Sequence, residues 1–429
     1  MNIACIGTGF VGVVTSAVFA KLGHQVIGLD IDEAKIKSLS KGKVPFFEPD
    51  LDDLLKKTLS SGNLSFTTSY QQAISDADVI FIMVGTPSKP DGQADLKYVF
   101  AVAKSIAPYL KENAIIVVKS TVPPGTNKKL EEIIKNLTNI PFTTASVPEF
   151  LKEGTAVHDT LYPDRILIGA TDKNTIKILT QLHQSLTNKI IVMKPESAQM
   201  AKYSANTYLA QRITFINQIA NLCEKNGADV QEVIQGIGHD KRIGLHYWYP
   251  GLGYGGSCFP KDVKEIAAYS RAIGETESLF IKINELNEQR IPRLMAKYDQ
   301  LVNGFKNKTV AILGLSFKPN TNDTREAPAL KVIPWLLEHG AKVRATDPQA
   351  IPVAKSQLSS QVKYFLDPYE TVQNSDVLML LIEWSDYLNL DFKKITNFMN
   401  QPAYFIDTRN QYDPQIIGQY GFIYQGVGR

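Results

Sequence analysis

The sequence predicts an α/β protein: two Rossmann-like, doubly wound parallel-sheet domains joined by a central helical region with a long connecting helix. Three observations predict it. Over roughly the first 150 residues, short β-rich runs alternate with amphipathic stretches, the pattern of βαβ units. Roughly the last 120 residues run the same programme again. Between them, over about 197 to 302, apolar residues recur at helical spacing.

The candidate strands of the first part are Asn2–Ile6, Gln25–Leu29, Val79–Val84 and Ile115–Lys119, with helical patterns at Asp32–Ser40 and Tyr98–Tyr109 between them. Three segments echo in order near the end of the chain. Asn2–Gly9 resembles Thr309–Ser316, Gly23–Asp30 resembles Gly340–Asp347, and Ser75–Ile82 resembles Asn374–Leu381. One echo is what buried parallel strands share by chance; three in order argue for a second doubly wound domain. In the middle, Ser197–Lys225 reads as one long helix stopped by Asn226-Gly227. Glu275–Val302 is a second helical pattern, kinked or broken by Pro292. The expected domains are 1–196, 197–302 and 303–429, with the middle one a natural place for subunit contact.

Composition narrows the function classes. A chain of 429 residues with 44% hydrophobic and 21% charged residues is an ordinary globular protein of two or three domains. Forty-six basic against 43 acidic residues leave a net charge of +3, which gives no reason to expect nucleic acid or membrane partners. Three cysteines, Cys5, Cys223 and Cys258, are an odd, sparse set suited to a reducing compartment. The start, MNIACIGTGF, has no basic n-region, and the longest apolar runs have strand length, so the expected location is the cytoplasm.

Gly7-Thr8-Gly9-Phe10-Val11-Gly12 is a G-x-G-x-x-G between a strand and a helix. Gly7 permits the tight turn, Gly9 lets a pyrophosphate approach the backbone, and Gly12 allows helix to pack on strand. Asp30 ends the second strand, where a carboxylate accepts from a ribose 2′-hydroxyl and repels a 2′-phosphate, so NAD is expected rather than NADP. Thr86 and Thr121 end two further strands facing the same crevice, as cofactor contacts or as cap and turn residues. In the second half Ser316 replaces the matching Gly9. Lys318 and Arg325 there are either phosphate contacts or solvated surface cations.

Gly253-Tyr-Gly-Gly-Ser-Cys258-Phe-Pro-Lys-Asp262 is the most informative stretch. Its glycines let backbone approach a ligand, and Pro260 suits a first helical turn, which puts Cys258 at a helix N-terminus. There the helix dipole and Lys261 favour the nucleophilic thiolate. Cys5 and Cys223 read as inert core residues. Lys202 and Asn206 stand four apart on the long helix and share a face. They either hold a substrate oxygen or merely lie on the surface. Glu149 and Glu153, in Pro-Glu-Phe-Leu-Lys-Glu-Gly after an apparent strand, are general-base candidates or helix-start carboxylates.

Together these motifs, with Ser120-Thr-Val-Pro-Pro-Gly125, Arg242-Ile-Gly244, Phe317-Lys318 and Asp323-Thr-Arg325, resemble the UDP-glucose/GDP-mannose dehydrogenase family over essentially the whole chain. The resemblance implies two successive oxidations of a sugar C6 alcohol, each passing a hydride to NAD. UDP-glucose is the expected substrate, with GDP-mannose or a UDP-N-acetylhexosamine as the alternatives. Cys258 would capture the aldehyde as a thiohemiacetal, and the thioester that follows is hydrolysed. By position, Lys202 and Asn206 match the pair that stabilises the C6 oxygen, and Asp262 a carboxylate working with Lys202 and a water. Thr121 and Glu149 match residues acting on the hydrolytic water. Asp30, Lys35, Thr86, Thr121, Glu153, Lys261 and Arg325 match NAD contacts. Phe150, Leu151, Lys152, Glu153, Tyr247, Trp248, Tyr249, Pro250, Gly251, Gly255 and Lys318 match contacts to the nucleotide sugar. Arg242 matches an arginine that reaches a neighbouring subunit, which implies a homodimer. No metal is implied. His246-Tyr-Trp-Tyr-Pro250 departs from the Phe-Leu pair of many relatives, and its aromatic bulk suits stacking. A two-electron dehydrogenase in which Cys258 merely packs would yield one NADH per substrate; a non-catalytic sensor would yield none.

Overall fold

The computed structural model describes residues 1–429. β1 (Asn2–Ile6) alternates its side chains between two faces, as a strand must. Ile3 and Cys5 pack beneath Val14, Val18 and Phe19, while Ala4 and Ile6 pack against Val102 and Ile106. Both faces are therefore covered by helices, the arrangement that buried parallel strands require.

The remaining strands of the first sheet are β2 (Gln25–Leu29), β3 (Leu64–Thr67), β4 (Val79–Ile82), β5 (Ala114–Val118), β6 (Phe142–Ser146), β7 (Ile166–Gly169) and β8 (Ile190–Met193). Their order is β3-β2-β1-β4-β5-β6-β7-β8. All pairs are parallel except β6 with β7, which meet antiparallel at Ser146 and Gly169. Gly169 has no room for a side chain: a Cβ would lie 2.8 Å from Ala198 and from Pro195, at the start of the long helix.

The second sheet comprises β9 (Thr309–Leu313), β10 (Lys342–Thr346), β11 (Lys363–Tyr364), β12 (Val377–Leu380), β13 (Ala403–Asp407) and β14 (Phe422–Gln425). Its order, β11-β10-β9-β12-β13-β14, repeats that of the first six strands of the first sheet. The three sequence echoes fall on β1 and β9, β2 and β10, β4 and β12, which occupy equivalent places.

The long helix runs Pro195–Asn226 and stops where Gly227 turns to φ +80°. The second helical pattern is two helices, Leu279–Glu288 and Arg290–Leu301. The break falls at Gln289, before Pro292, which lies in the first turn of the second helix where its missing N–H is tolerated. By contacts the chain forms two compact units: Met1–Ala205 with Glu265–Glu275, and Asn206–Lys264 with Thr276–Arg429. The helical middle is thus divided between two bodies. No helix is long and apolar enough to cross a membrane.

Candidate active site

The glycine turn of the first unit has the geometry its sequence implies. Gly7 adopts φ +95°, and a Cβ there would lie 2.7 Å from the Met83 carbonyl oxygen. A Cβ on Gly12 would run into the Gly7 carbonyl. Gly9 caps helix Phe10–Lys21, and a Cβ there would find nothing within 4 Å, which leaves its backbone open to a phosphate at a helix N-terminus. Beside it, Asp30 Oδ2 accepts from the Thr8 amide (2.9 Å), the Thr8 hydroxyl (2.8 Å) and Lys35 Nζ (3.1 Å). Oδ1 accepts the Asp32 amide at 3.2 Å and retains lone-pair capacity for a ribose hydroxyl. Burial works against the Asp30 carboxylate, but the bonds from Thr8, Lys35 and Asp32 outweigh it and hold the carboxyl below its usual range. These residues fit a dinucleotide. Thr86 donates its hydroxyl to the Thr121 carbonyl at 2.8 Å and so ties two strand ends together, a turn role beside any cofactor contact.

The segment after β6 builds a second cluster in the same unit. Glu149 accepts from the Leu151 amide at 2.8 Å and from Lys202 Nζ at 3.1 Å, with both side chains buried. The Phe150 ring lies under the Arg165 guanidinium at 3.7 Å and 5.1 Å from Lys202 Nζ, a cation–π arrangement. Lys119, Glu149, Phe150, Lys152, Arg165 and His183 are among the walls of a cavity of about 310 Å³. Burial pushes the Lys119 ammonium down to about 8, against the pull of Glu149. Burial also pushes His183 down to about 4, so it packs as a neutral ring between Phe19 and Phe81. Lys152 is exposed, and Leu151 and Glu153 are half-buried.

In the second unit, Gly253 and Gly256 take φ +94° and +84°, and a Cβ on Gly255 would collide with the Glu326 carbonyl. The glycine run therefore lets the loop lie against backbone, ending at Cys258. Helix Phe259–Ala272 begins at the next residue, with Pro260 in its first turn, and the Asp262 amide donates to the Cys258 carbonyl at 2.9 Å. Cys258 is exposed, with the Ser257 hydroxyl 3.6 Å from its sulfur. Cys5 and Cys223 are buried, and burial pushes the Cys5 thiol up to about 12. Asp262, only 1% exposed, accepts from Asn206 Nδ2 at 2.5 Å and Lys261 Nζ at 2.6 Å. Lys202 and Asn206 lie one turn apart on the long helix, both buried, which removes the surface reading.

Arg242 is 88% exposed, with its guanidinium on Asp240. The aromatic loop divides its labour. Trp248 donates to the Gly244 carbonyl at 2.8 Å and stacks under Arg212 at 3.9 Å, whereas Tyr249 stays 48% exposed. Tyr247 is in the left-handed region at φ +65° and packs on Tyr249 and Phe259. Pro250 and Gly251 are buried, Gly251 being held by Asn217 and Arg290. Lys318 lies over Phe317 at 5.5 Å, and Arg325 is paired with Asp323 at 2.6 Å. The Asp30 counterpart, Asp347, is filled from within: Leu315, Ser316, Gln349, Ala350 and Trp384 all donate to it. The second unit therefore offers no ribose acceptor of the Asp30 kind.

Sequence reasoning passed over Arg165 and Lys119. A lysine closing a wholly apolar run was the available signal for Lys119; nothing local marks Arg165.

A strand-end carboxylate with spare lone pairs beside a glycine turn and an accessible thiol at a helix start define a dinucleotide-dependent oxidoreductase with a nucleophilic cysteine. Family models for UDP-glucose/GDP-mannose dehydrogenases match in three parts: the NAD-binding domain over residues 1–187, the central domain over 196–289 and the UDP-binding domain over 311–414. The chain is 42% identical to the UDP-glucose 6-dehydrogenase TuaD of Bacillus subtilis (strain 168), covering all of this chain and 93% of the relative. It is 39% identical to the UDP-glucose 6-dehydrogenase of Pseudomonas aeruginosa, covering all of this chain and 98% of that one. A solved UDP-glucose dehydrogenase from Pyrobaculum islandicum superposes with a TM-score of 0.93 at 36% identity, over 99% of this chain and 97% of its own. The chain belongs to the UDP-glucose/GDP-mannose dehydrogenase family.

Proposed function

We propose that this protein oxidises UDP-glucose at C6 to UDP-glucuronate, consuming two NAD and one water per sugar. Bound NAD supplies the hydride acceptor for both oxidations. The residue roles proposed are those that the family resemblance implies. Lys202 and Asn206 hold the oxygen at C6 and stabilise it as its proton passes to a water that works with Lys202 and Asp262, while the C6 hydride goes to NAD. The Cys258 sulfur then adds to the aldehyde carbon, and its proton passes to the carbonyl oxygen, giving a thiohemiacetal. Oxidation of that adduct leaves a thioester on Cys258. Water attacks the thioester carbon, oriented by Thr121 and Glu149, and the carbon–sulfur bond breaks to release the acid and restore the thiol. Asp262 anchors Asn206 through the 2.5 Å bond and so fixes the amide's direction.

Gly7, Gly9, Gly12, Asp30, Lys35, Thr86, Glu153, Lys261 and Arg325 are proposed to contact NAD. Phe150–Glu153, Tyr247–Gly251, Gly255 and Lys318 are proposed to contact the sugar nucleotide, with Tyr249 the stacking candidate and Trp248 its support. The proposed division is a cofactor domain 1–196, a helical middle 197–302 and a sugar-nucleotide domain 303–429. The working unit is a homodimer, with Arg242 completing the partner's site. Tyr208, Phe215 and Leu222 support it: they recur every seven residues on the long helix and are 55%, 49% and 58% exposed. Three free cysteines suit work in a reducing cytoplasm.

One observation carries this reading: Cys258 is the exposed sulfur among three, at the start of the helix that also carries Asp262. Absorbance of NADH against a panel of UDP-glucose, GDP-mannose and UDP-N-acetylhexosamines tests it. Two NADH per UDP-glucose are expected, and Cys258→Ser should stall turnover while still binding NAD. Near-normal turnover by that variant removes the covalent route, and preference for another sugar nucleotide removes the substrate. Light scattering checks the assembly, since a fully active monomer excludes the role given to Arg242.

A further inference from the structure

The segment Phe150–Glu153 is strung between two carboxylates. At its start, Glu149 turns back on the Leu151 amide. At its end stands Glu48, more than a hundred residues earlier in the chain and only 6% exposed. Glu48 Oε2 accepts from the Gly154 amide at 2.6 Å and Oε1 from the Ala156 amide at 2.7 Å. Both bonds are short and charge-assisted, the stronger class. They close the segment just where Gly154 turns through φ +82°. The same stretch of chain places Phe46 on Phe10, inside the glycine turn, with ring centroids 4.9 Å apart. A single loop thus touches the cofactor turn at one residue and grips the 150–153 segment two residues later.

We infer that Glu48 is a positioning residue for the sugar nucleotide, holding the Phe150–Glu153 backbone in its binding shape through the amides of Gly154 and Ala156. The inference rests on the assignment of that segment to the substrate. A buried carboxylate is costly unless its oxygens are satisfied, and here two backbone donors need two acceptor oxygens. Glutamine offers only one, and turns an N–H toward the second donor. Aspartate keeps both oxygens but withdraws them by one methylene.

Steady-state kinetics of Glu48→Gln and Glu48→Asp, with NAD affinity by fluorescence quenching and amide exchange of the wild-type chain with and without UDP-glucose, make the test. The expected result for Glu48→Gln is a KM for UDP-glucose raised about tenfold, kcat within about threefold and NAD affinity within about twofold. Glu48→Asp should lie between it and the wild type, and it carries the test if the glutamine variant fails to fold. Unchanged KM in the folded variants overturns the inference, as does a loss of NAD affinity as large as the rise in KM, beyond what the Glu153 contact alone would give, which marks a merely structural carboxylate. If UDP-glucose gives no exchange protection at 150–154 in the wild type, the substrate assignment itself has failed. Protection there with unchanged KM in the variants rejects Glu48 alone.

Discussion

Removing the amide at position 206 tests the oxygen-holding pair directly. Asn206 Nδ2 has two hydrogens, and the 2.5 Å bond to Asp262 uses one, leaving one for the sugar oxygen. Asp262 is 1% exposed, so Asn206→Ala withdraws a donor from a buried carboxylate that keeps Lys261. That loss costs about 1.5–3 kcal/mol of stability, the range for hydrogen bonds to charged groups. Losing a donor to the developing oxyanion slows turnover by about 10²–10³-fold, roughly 3–4 kcal/mol of barrier. The two losses read out separately: thermal melting reports the first, and NADH production at saturating UDP-glucose and NAD the second. Asn206→Asp adds the control. It keeps the shape but sets two carboxylates together, so it should also lose the donor and acquire a pH dependence from their shared proton. A kcat within about threefold of wild type for Asn206→Ala, alongside a lowered melting temperature, would refute the oxygen-holding role and leave Asn206 as a support for Asp262.

The glycine turn separates binding from folding. Gly9→Ala, whose Cβ meets nothing within 4 Å, should melt like the wild type and weaken NAD binding at least about tenfold, whereas Gly12→Ala, aimed at the Gly7 carbonyl, should lower the melting temperature itself. Equal melting of both variants would contradict the packing argument. Lys119 gives a pH signature. Its native value of about 8 lies below the ordinary 10.5, so the unfolded chain holds a proton that the native chain releases between those limits, and stability rises with pH across that window. Lys119→Met should flatten that rise in urea unfolding; an unchanged slope from about pH 8 to 10.5 means that burial is not the cause.

The strands with the strongest local signal were legible almost to the residue. Asn2–Ile6 and Gln25–Leu29 stand as read, because short apolar runs, each ended by a turn, match strand length. The runs at Val79 and Ile115 differ only at their ends, with Met83 and Lys119 leaving the ladder. The short β3, Leu-Ser-Phe-Thr, carries no such run, and β8, though Ile-Ile-Val-Met, is half-exposed and lies beyond the stretch where strands and helices alternate most plainly. The kink or break read at Pro292 is a break, and it falls at Gln289, so that the proline lies in the first turn of the second helix. At the candidate site, the motifs flagged Cys258, Lys202, Asn206, Asp262 and Glu149, yet the pairings were not legible. Which carboxylate answers which amine depends on contacts more than fifty residues apart, Glu149 to Lys202 and Asp262 to Asn206. Trp248 was likewise marked for its ring, but its indole is spent on Gly244 and Arg212.

The twin carboxylates Asp30 and Asp347 end equivalent strands and are filled to different degrees. One keeps lone-pair capacity on Oδ1; the other is a hub saturated by its own chain, with the Trp384 indole closing it. Duplicating a fold therefore did not duplicate a pocket. Reinstating glycine at Ser316 would free a single donor and leave the hub standing, so a dinucleotide reader cannot be revived there by repairing the fingerprint alone. Any ligand held by this half is bound without a free strand-end carboxylate, on a framework locked from beneath.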